Sequence, residues 1–259
     1  MPYASFIALV KFRYHVTFLN VVFAALIFAP RLGAGVFLRL ALLYISFNIL
    51  LYGGIYTLND LADREADKRH PQKRRRPIAS GAIRPRAALA FGVCLMALGF
   101  AAASWLFSWS VVACFGAVML INAAYSAGGR NVAYLDVVLN ALPHTVRFAM
   151  GALLVERVPL AAHLAAITLL AIGLSCLRRH VEHDSAAAAD ARSTLHRYEQ
   201  PRLEAFGFTS LALLTMVCVN NVRVAPGFTA IVLTAAVVLI CGGHRVRMVR
   251  EPLRAVWTR

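Results

Sequence analysis

Eight apolar stretches on the scale of a bilayer crossing constrain this chain more than any single residue does. They run near 16 to 30, 34 to 57, 87 to 108, 109 to 127, 132 to 154, 158 to 177, 205 to 222 and 226 to 243, the first being the shortest. A helix rises about 1.5 Å per residue against a hydrocarbon core of about 30 Å, so roughly 20 apolar residues make one crossing. Inside lipid, every backbone N–H and C=O must find its partner within the protein, and helices achieve this locally. With 60% hydrophobic and 15% charged residues and a mean hydropathy of +0.66, the chain is too apolar for an ordinary soluble domain. The expected fold is therefore all-α: a polytopic membrane bundle of about eight transmembrane helices, forming a single integral-membrane domain over residues 1–259 with no second soluble domain.

Charge supplies the orientation. Lys11 and Arg13 precede the first stretch; Lys68, Arg69, Lys73, Arg74, Arg75, Arg76, Arg84 and Arg86 lie between the second and third. Arg178, Arg179, Arg192, Arg197 and Arg202 lie between the sixth and seventh, and Arg245, Arg247, Arg250, Arg254 and Arg259 follow the eighth. The opposite connections hold little beyond Arg31, Arg157 and Arg223. Because Lys and Arg are retained on the cytoplasmic side, this alternation predicts a multi-pass inner-membrane protein with both termini cytoplasmic. It also accounts for much of the formal charge of +15 without a nucleic-acid partner. Cys94, Cys114, Cys176, Cys218 and Cys241 form no CxxC pair and fall in or at the ends of the stretches, as small packing residues do. No cleavable signal pattern precedes Pro30.

The second stretch ends in NDLADREAD, Asn59 to Asp67. Asp60, Asp63 and Asp67 are spaced i, i+3, i+7, so a continuing helix gathers their oxygens on one face with Asn59 at the shoulder. Such a cluster repels itself unless a cation intervenes. Mg²⁺ is the natural one, since it is commonly held by one or two carboxylates plus substrate phosphates. The alternative is a solvated helix end whose acids pair with Arg64, Lys68 and Arg69. The loop that follows, DKRHPQKRRRPIASGAIRPR, reverses the sign of charge within a few residues and is broken by Pro71, Pro77, Gly81 and Pro85. A metal-bridged diphosphate calls for this order of charges: the metal neutralises some oxygens, while Lys73, Arg74 and Arg76 bind the rest. Topology or anionic lipid alone would also explain four consecutive basic residues.

The polar loop Leu177 to Glu204 lies on the same predicted side and forms the expected second wall. Arg178, Glu182 and His183 lie there at helical spacings and Asp184 adds a further acid, so these are its candidates for a second cation or the leaving phosphate. Arg192 and Tyr198 are candidates for a phosphate contact and a polar orienting group, or for capping the seventh helix. Polar residues within the spans are costly. Arg147 and His144, with Pro143, therefore point to a hydrated central cavity, with Asn20, Asn48, Asp136 and Asn140 as further lining candidates or interhelical bonds.

The stretch NDLADREADKRHPQKRRRPIASGAIRP resembles the NDxxDxxxD signature and following loop of the UbiA superfamily of intramembrane prenyltransferases, most closely the decaprenyl-phosphate phosphoribosyltransferase branch. Arg13 and Asn20 match the Arg and Asn of RPxQWxKN, Arg147 and Gly151 match RAxxGG, Arg179 and Glu182 match KRYxEL, and Arg192, Leu195 and Tyr198 match the RxxLxxY that follows. Tyr14, Val16, Thr17 and Leu19 depart from the first of these elements; Arg178 and His180 depart from KRYxEL. The family usually has nine spans, one more than the eight counted in this sequence.

The resemblance implies helices around a central cavity, an active site opening to the cytoplasmic side, and a reaction in which carbon leaves diphosphate. Asp60, Asp63 and Asp67 would hold Mg²⁺ with Asn59 orienting. Lys73, Arg74 and Arg76 would bind diphosphate, and Glu182 with Arg179 would complete the second wall. The partners implied are a polyprenyl lipid and a diphosphate-bearing co-substrate. Three functions follow as expectations: joining phosphoribosyl diphosphate to a polyprenyl phosphate, moving a prenyl group onto an aromatic or other lipid acceptor, or a transporter or non-catalytic membrane scaffold.

Overall fold

The computed structural model describes residues 2–183, 197–221 and 226–245. Helices account for every regular element among them. Among the described residues, seven helical segments are long and apolar enough to cross a membrane: Tyr3–Phe28, Ala34–Ala62, Pro85–Leu106, Trp109–Ser126, Leu135–Leu154, Ala161–His180 and Gln200–Asn221. A further helix, Pro226–Arg245, lies where the eighth stretch is expected.

In chain order, α1 (Pro2–Leu9) leads through a 3₁₀ turn (Phe12–Phe18) into α2 (Leu19–Phe28). The second span is composite: α3 (Ala34–Leu43), a π-helical stretch (Tyr44–Tyr52) and α4 (Gly53–Ala62), followed by the short α5 (Arg64–Arg69). Then come α6 (Pro85–Leu106), α7 (Trp109–Ser126), α8 (Leu135–Leu154), α9 (Ala161–His183), α10 (Gln200–Asn221) and α11 (Pro226–Arg245). Pro85 opens α6, where its fixed φ suits a first turn and its missing N–H is no loss. A 3₁₀ turn of three residues (Lys73–Arg75) lies in the basic loop.

The chain divides into two compact units, one built from residues up to 122 together with 149–158, the other from 123–148 and from 159 onward. In the first, α6 packs on α4 and on the π-helical stretch. Small residues set that approach. A Cβ on Gly54 would meet Met96 Cγ at 2.4 Å and the Gly92 carbonyl oxygen at 2.6 Å, and one on Gly99 would meet the Ser46 oxygen at 2.9 Å. Membrane helices have no hydrophobic drive toward each other, so backbones brought this close gain dispersion contacts in its place. In the second unit α9 packs on α10, and α11 on both. Here Gly207 admits Cys176, whose Cβ lies 3.1 Å from the position of an added glycine Cβ.

Candidate active site

The acidic end of the second span is held in place by an apolar corner. Leu9, Ile78, Ile83 and Ala88 form a buried cluster, with Phe6, Leu61 and Phe91 packed against it. The cluster draws together the end of α1, the basic loop and the last turn of α4. The loop itself is a sequence of tight turns. The His70 ring nitrogen Nδ1 accepts from the N–H groups of Gln72 and Lys73 at 3.2 and 3.3 Å, and the Ser80 N–H reaches the Arg76 carbonyl at 2.9 Å. Gly81 turns the chain at φ 82°, a left-handed conformation that suits a residue without a Cβ.

This packing brings Arg76 onto the carboxylates. Its Nη1 donates to Asp60 Oδ1 at 2.9 Å and to Asp67 Oδ2 at 2.8 Å. Lys11 reaches the same Asp60 oxygen through Nζ at 2.6 Å. The Asp60 and Asp67 side chains are each 4% exposed, Arg76 23% and Lys11 14%. Two buried carboxylates thus converge on a single cationic nitrogen, with a second cation beside it.

Asp63, half-buried, lies between that pair in sequence. The expected uninterrupted helix is broken there, with α4 ending at Ala62, α5 starting at Arg64, and Asp63 between them at φ −83° and ψ 0°. Asp, a poor helix former, tolerates this sparsely populated region. The ladder nonetheless continues across the break, since the Asp63 N–H bonds to the Asn59 carbonyl at 2.9 Å and the Asp67 N–H to the Asp63 carbonyl at 2.8 Å. That continuity keeps Asp60 and Asp67 on one face. Among the described residues no three acidic, His or Cys side chains are gathered closely enough to cage a metal. The pair nevertheless fits Mg²⁺, whose usual protein share is one or two carboxylates with water and phosphate filling the rest, and whose ligands are oxygens.

Of the other expected residues in this unit, Asn59 sits half-buried in the last turn of α4, Lys73 is half-buried, Arg74 is exposed, and Asn20 is half-buried in the first turn of α2. Arg13 lies exposed, donating to the Tyr14 hydroxyl at 2.6 Å. Glu65 stays outside the site, paired with Lys68 and Arg64, and the bonds from Lys68 first and Arg64 second lower its pKa.

The second unit carries its own charged centre. Arg179, 1% exposed, donates from Nε and Nη2 to Asp136 Oδ2 at 2.9 and 2.8 Å, and from Nη1 to Glu182 Oε2 at 2.7 Å. Arg178 Nε binds the other Glu182 oxygen at 2.8 Å. The Tyr198 hydroxyl donates to Asp136 Oδ1, and burial, then that bond to a carboxylate, raise its pKa. Its ring meets Tyr134 edge-on at 5.2 Å. Arg179, Glu182 and Tyr198 are thus brought together, on an acid in the first turn of α8, where a helix N-terminus favours negative charge. Arg147 is buried further along α8. Arg192 and Asp184 lie outside the described residues.

Sequence reasoning assigned Lys11 to topology alone. It lies 49 residues from Asp60, so no local spacing connects the two. Asp136 was visible as a costly acid within a span, but its partner was not.

The sequence pattern of the UbiA prenyltransferase family matches residues 18–257. The chain belongs to that family. A decaprenyl-phosphate phosphoribosyltransferase of Corynebacterium glutamicum is 31% identical over 110 residues, covering 41% of this chain and 33% of that one. The corresponding protein of Mycolicibacterium smegmatis is 27% identical over 172 residues, covering 65% and 53%. The chain thus spans from a third to about half the length of these two UbiA relatives. A UbiA homolog from Archaeoglobus fulgidus, solved bound to GPP and Mg²⁺, superposes with a TM-score of 0.73 at 18% identity over 98% of this chain and 95% of that one, showing a shared fold. The all-helical membrane architecture expected from the sequence is thereby established.

Proposed function

We propose that this UbiA-family chain is a Mg²⁺-dependent intramembrane transferase with diphosphate as leaving group, joining phosphoribosyl diphosphate to a polyprenyl phosphate. The observation that carries the reading is the convergence of Asp60 and Asp67 on Arg76, beside Lys11, at the end of a membrane helix. Its likeness to named decaprenyl-phosphate phosphoribosyltransferases supports the choice of donor and acceptor.

Asp60 and Asp67 are the residues that would hold Mg²⁺, which when bound supplies Lewis-acid neutralisation of the diphosphate oxygens. Arg76, Lys73 and Arg74 offer donors to the remaining phosphate oxygens, with the Arg forks suited to two oxygens at once. In the transfer, the bond between the anomeric carbon and diphosphate breaks, with the electron pair leaving on diphosphate. A lipid phosphate oxygen forms the new bond to that carbon. The acceptor is already an anion, so no general base is required of the protein. Basic groups fixed beforehand on the departing charge lower the barrier because they need not reorganise during the reaction.

The A. fulgidus homolog's GPP favours a second reading, prenyl transfer to another lipid acceptor. The two are separated by incubating the full chain in nanodiscs with Mg²⁺ and either labelled phosphoribosyl diphosphate plus polyprenyl phosphate or labelled prenyl diphosphate plus aromatic acids. Label entering lipid only with the first pair, and lost by about 10²–10³-fold in Asp67→Asn, is the expected result. Label entering only with the second pair would replace the proposal by prenyl transfer, and turnover undiminished in excess chelator would remove the metal.

A further inference from the structure

Lys11 and Arg76 stand on the oxygens that would take a metal. Each reaches Asp60 Oδ1, and Arg76 also bridges to Asp67. Two carboxylates and two cations cancel formally, which is how a charged group this buried avoids the cost of lost hydration. Neither cation arrives by chance. Lys11 adopts a left-handed backbone conformation, φ 56° and ψ 53°, uncommon for a residue with a side chain, directly after the fully buried Leu9 and the buried Val10. Leu9 packs with Ile78 and Ile83, which follow Arg76 in the loop. One apolar corner therefore aims both cations at the same acid. The Lys11 ammonium also lies 5.4 Å from the centroid of the Tyr56 ring, whose face attracts it.

We propose that Lys11 and Arg76 are a built-in counter-ion pair that occupies the metal position until diphosphate arrives, so that metal and diphosphate enter together. This rests on the reading of Asp60 and Asp67 as metal ligands. A divalent ion can take the two carboxylates only if the cations release them, and in a buried setting they release them only to another anion. The diphosphate is that anion. Mg²⁺ carries the same charge as the pair it displaces, so the carboxylates remain neutralised throughout while Lys11 and Arg76 turn to phosphate oxygens. Lys11 suits such a change, being a compact charge on a flexible four-carbon stem. Lys11 is by this account a positioning residue toward the metal and a ligand of the diphosphate, a role the family motifs do not assign to it. A site that binds bare metal weakly gains ordered entry: the metal is held firmly only when a substrate is there to be activated.

The test measures binding, not turnover. Mn²⁺ is titrated into the full chain in nanodiscs and followed by electron paramagnetic resonance; inorganic pyrophosphate is then titrated at buffered free Mn²⁺. In the parent chain pyrophosphate should tighten Mn²⁺ binding by at least tenfold. Lys11→Met should bind bare Mn²⁺ several-fold more tightly than the parent, while pyrophosphate binding weakens and the cooperativity between the two falls. Lys11→Arg, which keeps the charge, should restore weak bare-metal binding. Thermal unfolding of each variant establishes that it is folded; should Lys11→Met not fold, Lys11→Gln takes its place. Bare Mn²⁺ binding in folded Lys11→Met or Lys11→Gln that is unchanged or weaker than in the parent would overturn the counter-ion proposal. If the parent binds Mn²⁺ neither alone nor with pyrophosphate, or Asp60→Asn and Asp67→Asn leave its binding unchanged, the metal assignment itself fails.

Discussion

Arg179 illustrates how a buried residue can be held by electrostatics on all sides. Its guanidinium spans Asp136 and Glu182 while its side chain is 1% exposed, and Arg178 covers the far oxygen of Glu182. Removing one partner of such a pair strands the other in a low-dielectric setting, at a cost of about 3–5 kcal/mol, whereas replacing both by apolar groups is often neutral. Asp136→Leu and Arg179→Met should therefore each lower the unfolding midpoint sharply in detergent, and the double variant should regain most of the loss. A double variant no more stable than the worse single would show that the network does not act as a pair. The contrast between the two charged centres also shows what a sequence discloses at this scale. Asp60 and Asp67 were legible because seven positions along one helix place them on a shared face across the break at Asp63. The Asp60–Lys11 and Asp136–Arg179 pairs were not, because 49 and 43 residues separate the partners and only tertiary packing joins them.

At the scale of elements, hydropathy located the spans closely. The stretches expected at 87 to 108 and 109 to 127 fold as Pro85–Leu106 and Trp109–Ser126. It began the first span at 16, whereas the membrane-length segment Tyr3–Phe28 starts in α1, and it missed the π-helical stretch Tyr44–Tyr52, since an extra residue per turn leaves no mark in apolar content. The π-helical stretch continues directly into α4, which ends two residues past Asp60, so the packing of α4 on α6 positions the acids. That packing depends on Gly54, buried against Met96 and the Gly92 carbonyl. Gly54→Val should force α4 off α6, costing about 1–3 kcal/mol of stability as overpacked sites do. It should also weaken Mn²⁺ binding although residue 54 touches no carboxylate. The comparison to make is thermal unfolding and metal titration of Gly54→Val beside Gly35→Val, where nothing lies within 4 Å of an added Cβ. Equal losses in the two would refute the close-approach argument.

For the whole molecule, the deciding quantity is which connections carry charge. Ser80 is exposed in a loop that also holds Lys73, Arg74, Arg75 and Arg76, while Arg157 is exposed after α8. Three membrane-length helices, α6, α7 and α8, separate the two positions in sequence. An odd number of crossings would put them on opposite faces, and retention of basic loops predicts that Ser80 lies on the cytoplasmic one. This predicted orientation would also match supply of the proposed donor, since a charged phosphoribosyl diphosphate cannot cross lipid unaided and has to be met on the side where it is made. In a background with its cysteines replaced, Ser80→Cys should react with a membrane-impermeant maleimide in inverted vesicles but not in intact spheroplasts, and Arg157→Cys should show the reverse. Labelling of both from the same face would mean that one of the three helices does not cross. Labelling of Ser80→Cys from outside the cell would instead place the Asp60–Arg76 site away from its proposed donor, and the phosphoribosyl assignment would give way to a substrate delivered from the outer leaflet.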